Sequence, residues 1–249
     1  MAKKSTAASG HRTNLANAKQ LITILEGAPE YQPTDSDMTP LEYKAKITSS
    51  RIATNAIEPL LYTYRDAEAQ RSVVFENAEA TEQPSYDYFI SLKGLTDFEK
   101  QEGKHWHSKF NGSRIGDAPV IAEGEENTTS HSVSQQQFSY KIEFFRNLIN
   151  VYIQCGKYVT TNPKISLAAL EVVIDDMIAK NGAVAQHFLP WENKMQERDV
   201  LMYEKETGLI DTGIKIKAFC ASIWLRNSEF YKKINSITLR NFKRRGTHI

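Results

Sequence analysis

The chain has 249 residues, 31 basic and 30 acidic, with 41% hydrophobic and 24% charged side chains and a mean hydropathy of −0.48. That balance describes an ordinary globular protein and excludes disordered, collagen-like and disulfide-stapled classes. The most apolar run, residues 167–179, is broken by Glu171, Asp175 and Asp176 and falls short of the ~18–20 apolar residues of a membrane helix.

The first residues carry Lys3, Lys4 and Arg12 without an acid, but small polar residues follow where a signal peptide needs an apolar core. Cys155 and Cys220 sit in apolar settings, and two thiols do not make a disulfide framework. These features predict a reduced, cytoplasmic protein with no membrane association.

Laid on itself with a shift of 127 residues (Leu21 onto Leu148), the sequence matches in character without a gap as far as Phe75 and Met202. Leu21-Ile22 falls on Leu148-Ile149, Tyr31 on Tyr158, Thr39 on Ser166, Ile47 on Ile174, Tyr64 on Trp191, and Arg71 on Arg198. Helical periodicity does not supply the Tyr31/Tyr158 and Thr39/Ser166 matches, which precede a helix. The pattern predicts two copies of one structural unit.

The first helix of each copy is expected from Asn14, read as an N-cap, to Gly27, and from about Gln137 to Gly156. The second begins at the capping box Thr39-Pro40-Leu41-Glu42, and at Ser166 in the other copy. Apolar positions then step by threes and fours, from Tyr43 to Phe75 and from Leu170 to Met202, implying a helix of ~35–40 residues. Pro59 and Pro190 predict a kink in each, with a full break as the alternative. Third helices follow at about 85–101 and 211–226, and short terminal helices at about 106–110 and 228–239. No stretch alternates with period two, so no sheet is expected.

The predicted fold is all-α: an elongated helical bundle of two copies of a three-helix unit with long kinked second helices. Its divisions are a disordered basic arm (1–13), a first repeat (14–110), an acidic linker (111–135), a second repeat (136–239) and a basic tail (240–249).

Phosphate-cradle, GxSxG and HExxH patterns are absent from the sequence. Glu102-Gly103-Lys104-His105 has the Glu-x-x-His form of di-iron bundles but lacks the second such motif that the site requires. The two histidines of His105-Trp106-His107 point apart on a helix, predicting a buried indole between wet imidazoles. No metal, cofactor or catalytic residue is assigned, and enzymatic activity is not expected.

Arg71 and Arg198 occupy positions where the stripe calls for apolar residues, so each needs a partner. Glu68, Glu197 and Glu204 are the expected carboxylates for structural ion pairs. With Tyr64 and Trp191, the arginines could instead form an anion site between the copies, which is also where an enzyme would place its pocket. After Glu229 there is no acid, and Lys232, Lys233, Arg240, Lys243, Arg244 and Arg245 form a basic end. Two functions follow: a non-enzymatic helical interaction or structural protein, acting as an assembly subunit or scaffold with a protein partner or itself; or a nucleic-acid-binding accessory protein that uses both basic ends.

Overall fold

The structure is a computed structural model that describes residues 6–112 and 138–242. It is all-helical, with seven α-helices and no strand among the described residues. They are α1 (Thr6–Glu26), α2 (Pro40–Ser91), α3 (Asp97–Phe110), α4 (Phe138–Gln154), α5 (Leu167–Tyr203), α6 (Leu209–Ile223) and α7 (Glu229–Ser236). No described helix is long and apolar enough to cross a membrane.

The connections before α2 and α5 repeat one another bond for bond. Tyr31 Oη donates to the Met38 carbonyl (2.6 Å), and Tyr158 Oη to the Ile165 carbonyl (3.0 Å). Asp35 Oδ1 accepts from Asp37 N, and Asn162 Oδ1 from Lys164 N, both at 3.0 Å, so that each side chain caps a 3-10 turn. Thr39 and Ser166 then donate to the carbonyls of Ser36 and Pro163 and accept from the amides of Glu42 and Ala169. Each of these pairs keeps the 127-residue offset.

Several elements differ from expectation. α1 begins at Thr6, so residues 6–13 are helix and not an arm, and Asn14 is interior to it. Both amide atoms of Asn14 are taken by the backbone of Arg240: Nδ2 donates to its carbonyl (2.7 Å) and its N donates to Oδ1 (3.1 Å). Asn14 thus ties a distant segment and does not cap its own helix. α2 runs for 52 residues and α5 for 37, both continuous through Pro59 and Pro190, so neither is broken into two helices. The element expected at 85–101 is absorbed into the end of α2, and α3 starts at a reciprocal capping box between Thr96 and Glu99. α7 stops at Ser236, three residues before the expected Leu239. Most of the acidic linker lies outside the described residues.

The chain forms two compact units. The first, Met1–Tyr62 with Phe188–Ile249, holds α1, the start of α2, the end of α5, α6 and α7. Leu21, Leu25, Tyr43, Met202, Leu209, Ile216, Cys220 and Ile234 fill its core. Lys217 ties α6 to the end of α7 by donating to the carbonyls of Asn235 and Ile237 (3.2 and 2.5 Å), satisfying groups that the helix end leaves open. The second unit, Thr63–His187, holds the rest of α2, α3, α4 and the start of α5. Phe75, Phe89, Phe110, Phe145, Tyr152, Leu170 and Met177 fill its core. Gly156, at φ +62°, ends α4 in the left-handed conformation.

Gly103 is the contact point between α3 and the end of α2, because a Cβ there would lie 2.5 Å from the Phe89 ring. Gly182, inside α5, faces open space. Helix propensity alone favours alanine at both by ~1 kcal/mol. Gly182→Ala should therefore raise the urea midpoint, while Gly103→Ala should lower it, overpacking a fully buried ring at a cost of ~1–3 kcal/mol.

Candidate functional site

Arg71 and Tyr64 belong to the second unit, Arg198 and Trp191 to the first, and each arginine is held within its own unit. Among the described residues, none of the three expected glutamates pairs with either arginine. Arg198, only 9% exposed, reaches its neighbour Asp199, with Nε and Nη2 on Oδ1 at 2.8 and 2.5 Å. Arg71 has no carboxylate partner among the described residues. Its Nη1 donates to Asn181 Oδ1 at 3.5 Å, and its guanidinium carbon lies 3.8 Å from the centre of the Phe138 ring, a cation–π contact. Tyr64 Oη donates to Glu68 Oε1 (2.7 Å), and Trp191 stands edge-on to Phe188.

The Arg198 charge acts on the His11 ring of α1, and at the 127-residue offset from His11 stands Phe138 of α4, whose ring lies against Arg71. The His11 ring is buried, with Nδ1 2.5 Å from Tyr203 Oη, to which Asn14 Nδ2 also donates. Burial, and then the nearby Arg198 charge, lower the His11 pKa to about 4, so the ring is neutral at pH 7 and accepts the Tyr203 proton. Sequence reading passed over His11 because its hydrogen-bond partner, Tyr203, lies 192 residues away along the chain.

The second unit holds a polar group the sequence reading placed in solvent. His107 Nδ1 lies 2.8 Å from Oε1 of Glu82, whose side chain is wholly buried, and Asn111 Nδ2 donates to Oε2 (3.2 Å). Tyr86 stacks on the imidazole at 3.9 Å. His107 is therefore not wet, although Trp106 is partly buried against Phe144 as expected. Burial raises the Glu82 pKa, with its bonds to His107 and Asn111 opposing the shift. At the offset of 127, Leu209 and Ile234 stand where Glu82 and His107 would fall, both buried in the first unit's core. The local signal was the i, i+4 spacing of His107 and Asn111, which puts both on one helix face.

Of the basic residues, Lys232 is paired with Glu229 (3.1 Å). Lys19, Ile24 and Lys233 are among the residues lining a hollow of about 640 Å³ between α1 and α7 in the first unit. Arg240 borders a second hollow of about 400 Å³, about two turns earlier along α1. Lys243, Arg244 and Arg245 lie outside the described residues. No group of three or more His, Cys, Asp or Glu gathers to hold a metal ion among the described residues. Cys155 and Cys220 are free and buried, and burial pushes the Cys220 thiol up to about 11, which leaves it protonated and unreactive.

Comparison with known proteins finds no match: no family model, no curated protein and no solved structure matches the chain.

Two predictions follow from these clusters. The His11 pKa lies below its unfolded value of 6.5, so the unfolded state takes up a proton first as pH falls from 6.5 towards 4, and stability drops across that window. The loss is at most about 3 kcal/mol. Urea titrations at pH 7 and 4.5 should show it in the wild type and a smaller loss in His11→Phe. In the second unit, His107→Ile alone should cost ~3–5 kcal/mol by stripping a buried carboxylate of its partner, while Glu82→Leu with His107→Ile should be close to neutral in the same titration.

Proposed function

We propose that this chain is a non-enzymatic helical protein that acts as an assembly subunit or scaffold, built from two copies of one helical module with long second helices. The duplication is supported by the connections before α2 and α5, whose side-chain hydrogen bonds correspond one by one at the 127-residue offset. It is also supported by the paired burial of Leu21 with Leu148, Tyr31 with Tyr158, and Phe75 with Met202. Each compact unit takes the first helix of one proposed copy and completes its core with helices of the other.

The observation that carries the interaction role is a set of large apolar side chains left outside both cores. Val73 and Val200 hold corresponding positions on α2 and α5, each 55% exposed, and Tyr62 and Leu189, eleven residues earlier, are exposed in both helices as well. Scattered single apolar residues are common on surfaces. Recurrence at corresponding places, at a spacing that completes three helical turns, favours a coiled-coil-like seam offered to a protein partner or to a second copy. The two free, buried cysteines agree with the cytoplasm as its location.

Multi-angle light scattering across a concentration series tests this. A mass rising above the 28.3 kDa of a single chain, and returning to it in Leu189→Glu with Val200→Glu, is the expected result. A strictly monomeric wild type that also captures no partner protein would remove the support for this role.

A further inference from the structure

We propose that the arm formed by α7 and residues 237–242 exchanges between two copies of the chain, each arm docking on α1 of the other. Such an exchange deepens the assembly role proposed above and rests on it, supplying a surface and a partner. α1 holds the arm as a peptide-binding groove holds its ligand, largely through the main chain. Asn14, a donor and an acceptor in one amide, takes both the carbonyl and the N–H of Arg240 (2.7 and 3.1 Å), and Asn17 donates to the Thr238 carbonyl (2.7 Å). From α6, Lys217 donates to the carbonyls of Asn235 and Ile237. Gly10 adds a contact of shape: the Phe242 ring fills the space of the missing side chain, where a Cβ would lie 2.6 Å from it. His11 and Tyr203 meet that ring edge-on, with centroids 5.9 and 6.4 Å away.

The arm is held at separate points. Across residues 228–242 only Ile234 and Ile237 are buried, while Leu239 and Phe242 are half-buried. The hollows of about 640 and 400 Å³ lie along this same contact, one bordered by Lys233 and Ser236, the other by Thr238 and Arg240. Release of the arm therefore breaks a few anchors and not a continuous packed layer. Its connection to α6 is exposed at Leu225, Arg226 and Asn227, and a turn bond from Ser228 N to the Leu225 carbonyl (2.9 Å) folds it back. α7 brings its own cap, Ser228, whose hydroxyl accepts from Tyr231 N.

A second copy is the occupant that this groove fits without loss. It offers the same Gly10, Asn14, Asn17 and Lys217, so each contact given up on release is regained, and a two-fold pair leaves neither groove empty. An unrelated peptide would displace an arm that then has no site, against a competitor held at the effective concentration of an intramolecular ligand. The closed chain and the exchanged pair differ only in the connection at 225–227 and in the entropy of joining two chains. Protein concentration therefore sets their balance. The arm must come off before it exchanges, so light scattering on fresh protein reads the α2 and α5 seam, whereas exchanged pairs accumulate on prolonged incubation.

Two populations of the full chain, one with Ala16→Cys and one with Ser236→Cys, provide the test. Both positions are exposed on the hollow between α1 and α7, and the native Cys155 and Cys220 are buried. All variants also carry Leu189→Glu and Val200→Glu, which remove the seam. After mixing, prolonged incubation at high concentration and treatment with a flexible bismaleimide, the expected product is a covalent dimer of one chain of each kind, well above the dimers of either population alone. Phe242→Ala, with circular dichroism verifying the helices, should speed its appearance about tenfold, because arm release limits exchange and a buried aromatic anchor carries about that factor. Deleting Arg226 and Asn227 removes the centre of the turn and should give a stable dimer of twice the 28.3 kDa chain. The proposal is overturned if the mixture cross-links no more than each population alone, if folded Phe242→Ala leaves the rate unchanged, or if the folded deletion variant stays monomeric. A wild-type mass that rises on fresh protein without this cross-link would keep the seam and remove the arm, and cross-linking beside a wild type that is monomeric when fresh would do the reverse.

Discussion

The continuity of two long helices governs the rest of this structure. α2 and α5 remain single helices through the interior prolines Pro59 and Pro190, each of which lacks the N–H for one backbone bond, where a break was the alternative. A helix that does not turn back cannot fold its second half onto the elements that packed against its first half. Each half of α2 and of α5 accordingly belongs to a different core. α1 finds Met202, Leu209 and Ile216 as its neighbours in the first core, and α4 finds Phe75, Phe89 and Phe110 in the second. The first core is completed by residues far away in sequence, since the end of α5, α6 and α7 join α1 and the start of α2 in it.

The two cores differ in how their buried polar groups are answered. Where α1 meets α5, Arg198 sits by a neutral histidine and satisfies itself on Asp199; where α4 meets α2, Arg71 lies over a phenylalanine ring. Where α3 returns on the end of α2, a buried carboxylate is answered by His107 and Asn111, while Leu209 and Ile234 serve in the other core. Apolar and polar solutions to one packing problem are close in free energy as long as every buried polar atom is answered. The polar version is the more fragile, because removing one member leaves the other exposed to the full desolvation penalty.

Much of the local architecture was legible in the sequence, for local reasons. Proline at the first helical position, an Asp or Asn two residues before the amide it caps, and a tyrosine seven residues before the carbonyl it reaches all act over a single turn. The fusion of the expected third element into α2 was legible only by contrast. At the corresponding place after α5 the chain reads Glu204-Lys205-Glu206-Thr207-Gly208, with Glu206 at φ +71° and a glycine whose Cβ would lie 2.6 Å from the Glu204 amide. Residues 77–81, by contrast, carry nothing that stops a helix. Asn14 misled because an asparagine before an apolar run resembles a cap, and only the partner segment more than two hundred residues away shows its use. Glu82 and His107 were illegible for the same reason: their bond joins two helices, and no spacing along one helix encodes it.

The interlacing of the cores has a consequence for biosynthesis. α1 and the first half of α2 emerge from the ribosome long before α6 and α7, whose residues share the core of Leu21, Leu25 and Tyr43. At ~5–20 residues per second, roughly 10–40 s separate Tyr62 from the residues that close the first core. During that interval an amphipathic hairpin stands uncovered, a natural client for a chaperone. The second core, whose parts are contiguous in the chain from Thr63 to His187, is free to close before the first.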